Sequence, residues 1–477
     1  MLRSAFMIVT IGLLFVVQSM AYSSTLNNVE IQESNLGTKP YYKISAMYAG
    51  EIGRPDGVNA QFSVPVSLML PTQTCNQTAI IDVVNSVLYE FPATPLGHIT
   101  LNTGHMILGD AFISGRNESG FVYASILWDK NVADQTIGTI VQATDGYEIL
   151  RQFAYFLKTS DLISTLGIET DCDLNLTIGF GWSQTGKLLA TILTEELNGN
   201  ESTPAFDGLF LGVAGGICRH LENDNFPWRY APCKKPPTQH VPTVAYNSQS
   251  EVELAHGNGK LRIPSPNLKI YEYAGLAHID EKFLPFNTLF GNLGFDFQQN
   301  PVSVAPSVRA AFWNLYLKLK YNLVMPKSST LFSKPKSHSF VSFLDLRGDD
   351  SLLSWSGGQV YITDSNRDGF AESGIRLPHM PSSNQGPFSS TLGAPLGVYG
   401  GIDYNYAGGG GIFFANGGTF ESFDDETLLE LYPTKQVYVQ RVISSVWYLI
   451  FNRYLLLEDG IALIAEAEAL QLPIWQQ

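Results

Sequence analysis

Ser183 stands in the hexapeptide Gly181-Trp182-Ser183-Gln184-Thr185-Gly186, behind an apolar run at 174–180 and ahead of a second one at 187–193. A short β-prone run, a serine among small residues and then a helix-period run is the form of a nucleophile elbow. The strand ends, the chain turns sharply, and the hydroxyl is held at a helix N-terminus. Gly181 suits a turn too tight for a larger side chain. The chemistry such a serine performs is attack on an acyl carbon. Its hydroxyl is a poor nucleophile at neutral pH, so an imidazole must take the proton and a carboxylate must orient that imidazole.

Candidates for both follow in order along the chain. The stretch 269–280 reads as a strand entering a small-residue loop that presents His278 as the base. The stretch 240–251 reads as another strand, followed by a polar turn that ends in Glu251, the candidate acid. Glu253 and Asp207 compete for that role, but Asp207 precedes its strand, which places it at the far end of a sheet from Ser183. The backbone N–H of Gln184 is the expected oxyanion donor, with a second expected from the loop near Asn85-Ser86-Val87.

The string Gly179-Phe180-Gly181-Trp182-Ser183-Gln184-Thr185-Gly186 resembles the G-F-G-x-S-Q-S-G-R stretch of a family of long, often secreted bacterial α/β-hydrolase-domain proteins. Phe206-Asp207-Gly208-Leu209 and Val213-Ala214-Gly215-Gly216 resemble that family's F-D-G-V and V-A-G-A. Tyr271-Glu272-Tyr273-Ala274-Gly275-Leu276-Ala277-His278-Ile279-Asp280 resembles its Y-E-x-A-G-A-S-H-x-D. Asp368-Gly369 with Gly374-Ile375-Arg376-Leu377-Pro378, and Tyr432-Pro433 with Tyr438-Val439, resemble its later D-G…G-G-I-R-L-P and Y-P…Y-V. The likeness runs from about residue 40 to the C-terminus. It implies a serine hydrolase fold and esterase chemistry, and says little of the substrate. The chain departs at Thr185 for Ser, at Lys187 for Arg, and at Gln249-Ser250-Glu251, where the family tends toward E-[ST]-D.

The elements that must position these residues are legible in part. Strand-like runs occupy 61–70, 79–84, 121–127 and 209–213, with others before Ser183, near Val244 and near Ile270. Ile149, Leu150, Phe153, Phe156 and Leu157 repeat at helical spacing. Strands alternating with helices predict an α/β class: an alpha/beta-hydrolase fold, its mostly parallel sheet flanked by helices, with sites at the carboxyl ends of strands. The organisation expected is a signal peptide at 1–21, a hydrolase core at 22–300, an elaborated loop and β region at 301–430 that is a candidate cap, and closing helices at 431–477 packed on the core. Helices are predicted at 308–321, 437–457 and 461–470.

Hydrophobic content of 45% supplies a core and excludes a mostly disordered chain. A formal charge of −15 with no basic run argues against nucleic acid and anionic membranes as partners. Arg3, the apolar stretch 5–17 and Ser19-Met20-Ala21 form an export signal, so the mature chain is expected to be secreted or periplasmic and not membrane-inserted. Cys75, Cys172, Cys218 and Cys233 then favour disulfides. Cys218 with Cys233 is the preferred pair and Cys75 with Cys172 the remainder; four buried thiols is the alternative.

No metal site or cofactor is expected. Asp364-Ser365-Asn366-Arg367-Asp368-Gly369 opens like a calcium loop, but Ile375 holds the position that needs Glu, so turn chemistry explains it better. Asn175 begins an N-x-S/T sequon within a predicted strand and is expected to be inaccessible. The function expected is an exported serine hydrolase acting on small or polymeric carboxylic esters through Ser183, Glu251 and His278. The alternatives are a non-catalytic binding or adhesion protein on a hydrolase scaffold and an extracellular polyester depolymerase.

Overall fold

Alternation in the strands puts apolar side chains on both faces of one sheet. In the computed structural model, described here for residues 24–54, 59–85, 102–115, 119–133, 138–200, 202–221, 229–233, 235, 241–255, 260–278, 300–335, 360–362, 370–381, 387–390, 392–402 and 417–475, nine strands form that sheet. They are β1 (Thr25–Leu36), β2 (Lys39–Ile52), β3 (Ala60–Pro71), β4 (Cys75–Val83), β5 (Gly120–Ile126), β6 (Leu176–Trp182), β7 (Gly208–Gly212), β8 (Thr243–Ser248) and β9 (Leu268–Tyr273). Their order is β1-β2-β3-β5-β4-β6-β7-β8-β9. The first three form an antiparallel meander, β3 pairs antiparallel with β5, and all pairings from β5 to β9 are parallel. The signal segment, the calcium-like run at 364–369, Ser86 and Val87 lie outside the described residues.

Successive residues of β4 serve different cores. Ala79, Ile81 and Val83 join one cluster with helix α2 (Asp145–Thr159) and helix α3 (Gln184–Thr194), while Ile80 joins the cluster on the opposite face. On that second face lie α1 (Thr103–Leu108) and α5 (Ala305–Tyr321), through Ile107, Val308, Phe312 and Leu315. Helices therefore cover both faces of the sheet, as parallel strands buried on both sides require.

Helix α5 packs against β7 and β8, so residues past 300 share in covering the sheet. The closing helices α6 (Lys435–Phe451) and α7 (Leu457–Ala469) add Val442, Val446, Leu449 and Ala467 to the same cluster. Helix α6 stops six residues before its predicted end because the chain reverses there, with Arg453 in the left-handed region at φ 60°.

Of the meander, only β3 was anticipated, as the run 61–70; β1 was the least visible in the sequence. β1 is exposed along nearly all its length and carries Glu30 and Glu33, so it has no apolar alternation to read. Charged residues suit an edge strand, where they discourage pairing with another chain. Asn175 precedes β6 by one residue and is exposed; the expectation of a strand-buried asparagine is corrected. Its amide donates to Gln77 Oε1 at 3.3 Å. Both expected disulfides are present, Cys75–Cys172 and Cys218–Cys233. Among the described residues no helix is long and apolar enough to cross a membrane.

Candidate active site

Strand β6 delivers Ser183 between its last residue, Trp182, and the first residue of α3, Gln184. Ser183 has φ 55° and ψ −109°, a conformation that costs a non-glycine residue on the order of 1–3 kcal/mol. The backbone around it over-determines that geometry. Ser183 N–H donates to Gly212 O at 2.9 Å, and Lys187 N–H donates to Ser183 O at 3.0 Å. Thr185 Oγ1 accepts from Trp182 N–H at 3.0 Å, and Asn85 Nδ2 donates to Trp182 O at 3.0 Å. A Cβ on Gly181 would stand 2.5 Å from Thr185 O, and one on Gly186 would stand 2.4 Å from Gly212 O. Two of the glycines in the motif thus serve close backbone approach.

The chain carries Glu251 to the same rim by a local device. Helix α4 (Gln249–Ala255) follows β8 directly, and Glu251 Oε2 reaches back to accept from Ser248 N–H at 3.1 Å and from Ser248 Oγ at 2.5 Å. This is the carboxylate half of a capping box. The Ser248-Gln249-Ser250-Glu251 spacing carries that signal in the sequence, where it would have favoured Glu251 over its competitors without recourse to any likeness. The other carboxylate oxygen, Oε1, contacts His278 Nδ1. Both residues are buried. A carboxylate on Nδ1 places the ring proton there and leaves Nε2 as the basic nitrogen.

The imidazole of His278 lies over the end of β6: its ring centroid is 6.4 Å from that of Trp182, the residue before Ser183. Asp207 takes no part. Its carboxylate meets Lys158 Nζ at 3.1 Å and accepts from Thr177 N–H at 2.8 Å, at the amino end of β6. Glu253 accepts from Gln249 Nε2 at 2.8 Å. Of the three candidate acids, only Glu251 is drawn to the histidine.

Two serines were not anticipated from sequence. Ser248 holds Glu251, as above. Ser250 Oγ accepts from His278 N–H at 3.0 Å and donates to Gly401 O. Gly401 directly follows the first strand of an antiparallel pair, β10 (Gly397–Gly400) with β11 (Thr419–Ser422), so the C-terminal elaboration is tied to the histidine loop through one hydroxyl. Glu272, in the tyrosine-rich motif, is fully buried but pairs with Arg262, whose Nε lies 2.6 Å from Oε1; its role is to anchor β9.

Behind Ser183, on the neighbouring strand, Asp82 is fully buried. It accepts from Gly104 N–H at 2.8 Å and from the Tyr123 hydroxyl. Burial pushes its carboxyl up to about 7, against the opposing effect of those hydrogen bonds. The folded chain therefore holds a proton that the unfolded chain releases near pH 4, so this contribution to stability is complete below pH ~4 and is lost as pH rises through ~7. Asp82→Asn is expected to flatten that slope and to gain on the order of a few kcal/mol over the parent at pH 8 relative to pH 5. Urea midpoints at the two pH values measure it. Parallel shifts for both proteins would mean that Asp82 is already ionised in the fold.

A mostly parallel sheet with helices on both faces, a strained serine between strand and helix, and a carboxylate-bound histidine at the same rim define the α/β-hydrolase class. The chain belongs to the alpha/beta hydrolase domain family, whose model matches residues 123–465. That span includes Ser183, Glu251 and His278. No curated protein and no solved structure shows a significant match to it. Membership indicates hydrolase chemistry.

Proposed function

We propose that the protein is an exported serine hydrolase that cleaves carboxylic esters, with Ser183 as nucleophile, His278 as general base and Glu251 as the orienting acid. One observation carries this reading: the Glu251–His278 pair sits at the carboxyl end of the strand that presents Ser183 in a strained turn. His278 Nε2 takes the proton of Ser183 Oγ as it attacks the ester carbonyl. The oxyanion is held by the backbone N–H of Gln184, the first residue of α3. Collapse expels the alcohol with the proton from His278, and water then hydrolyses the acyl-enzyme by the same base. The two disulfides and the apolar N-terminal segment support export to an oxidising compartment.

The test is a fluorophosphonate probe, which phosphonylates activated serines. Stoichiometric labelling, mapped to the peptide containing Ser183, is expected near neutral pH. Absence of labelling in the folded protein would favour the non-catalytic binding alternative.

Ser250 supplies a second, independent prediction. Ser250→Ala leaves the His278 N–H and the Gly401 carbonyl without their shared partner. It is expected to lower kcat about tenfold with a smaller change in KM, since the imidazole loses its fixed position and not its identity. Ser250→Thr, which keeps the hydroxyl, should recover most of the loss. Equal rates for Ala and wild type would show that the strand pair does not position the base.

A further inference from the structure

A cavity of about 570 Å³ lies between α1, the start of α5, the segments at 377–379 and 394–399, and helices α6 and α7. Ser183, Glu251 and His278 do not line it, but segments that build their site also build its walls. Helix α1 follows β4, beyond whose end Asn85 holds the Trp182 carbonyl. Asn300, at the start of the segment entering α5, donates to Gly275 O at 2.7 Å, three residues before His278. His379 packs on the other side of that glycine, where a Cβ would stand 3.1 Å from His379 Nε2, and its ring lies 4.8 Å from that of Tyr399. The loop that presents His278 is therefore backed by the cavity wall. Crevices at the carboxyl ends of parallel strands are where such sheets take ligands.

The lining decides what fits. Ile107, Val302, Leu377, Leu396, Val442 and Leu463 make most of it apolar. Its one guanidinium, Arg309, is held by Asp459, with Nε at 3.1 Å from either carboxylate oxygen. Glu466 adds a further negative charge, and burial lowers the His379 pKa so that the imidazole is neutral. Among the described lining residues no cation is left over for an anionic ligand. The volume falls in the range of sites for molecules of drug size, well beyond an acetyl group. Ala462 and Met106 are exposed lining residues and mark the mouth, whereas Ala394 is buried.

We propose that this cavity receives the long aliphatic arm of a neutral ester, which makes uncharged esters with an extended apolar chain the substrate class. The proposal rests on the serine hydrolase reading above. Two variants reduce the space by different routes: Ala394→Phe fills the buried wall, and Ala462→Trp obstructs the exposed mouth, where folding is undisturbed. Each is expected to lower kcat/KM for 4-nitrophenyl octanoate by about tenfold or more, equivalent to about two methylenes excluded from burial. Activity on 4-nitrophenyl acetate and fluorophosphonate labelling of Ser183 should be unchanged.

Octyl acetate against ethyl acetate repeats the comparison with the chain on the alcohol side and shows which arm enters. Equal effects on long and short esters in both series, or no effect, would overturn the proposal while leaving the hydrolase reading intact. Absent labelling would instead fail that reading. Calorimetric titration of 1-octanol then still tests the cavity: binding lost in Ala394→Phe supports it, and no binding to the wild type overturns it.

Discussion

Ser183→Ala should abolish ester hydrolysis and fluorophosphonate labelling while leaving the fold as stable as before. A serine nucleophile acts as a unit with its base, so its removal costs about 10⁴-fold or more in kcat, and the residual rate reflects binding and the oxyanion donor alone. Stability is expected to stay within about 0.5 kcal/mol, because the Ser183 side chain makes no capping hydrogen bond to α3. The strain at φ 55° is backbone strain, which alanine shares. Ser183→Gly should therefore be equally inactive and more stable than the alanine variant, since only glycine adopts positive φ without penalty. Initial rates with 4-nitrophenyl acetate and urea midpoints together test this. An alanine variant retaining a tenth of the activity would remove Ser183 from the mechanism.

Loss of the Cys75–Cys172 disulfide should be the most costly single change to stability. The bridge spans 97 residues and joins the start of β4 to the segment that leads into β6, the strand that carries Ser183. Chain-entropy arguments give about 4–5 kcal/mol for a loop of that size and about 3 for one like Cys218–Cys233, whose separation is 15. Replacing both members of the long bridge with serine should therefore lower the urea midpoint more than the same change in the short one. Backbone pairing beside the long bridge, with Cys75 N–H on Asp171 O at 3.3 Å and Asp171 N–H on Gln73 O at 2.9 Å, softens but does not reverse that order. A larger loss from the short bridge would show that native-state packing outweighs loop entropy here.

The elbow was legible because each of its requirements is local. The strand run, the small residues at 181 and 186 and the helix run are adjacent, and close backbone approach leaves glycine as the residue that fits. Glu251 was harder. Its sequence neighbourhood departs from the family's, and two other acids competed, yet the Ser248-x-x-Glu251 capping spacing was present all along. The edge strand β1 escaped notice for the opposite reason, since an exposed strand carries no apolar period.

What sequence alone determined about this protein is the parallel α/β layering and the serine in a tight turn between strand and helix; it also offered Glu251 and His278 as expected acid and base, and the two cysteine pairs as the preferred ones. The layering and the turn follow from contacts between near neighbours or from periodicity that burial imposes. Only tertiary structure decided that Ser250 ties the histidine loop to a strand pair 151 positions away, that Asp82 is shut off from water behind Ser183, and that a largely apolar cavity backs the histidine loop. Those features arise where chain segments distant in sequence meet. A hydroxyl, a carboxylate or an alanine acquires its role there from groups whose proximity no local pattern encodes.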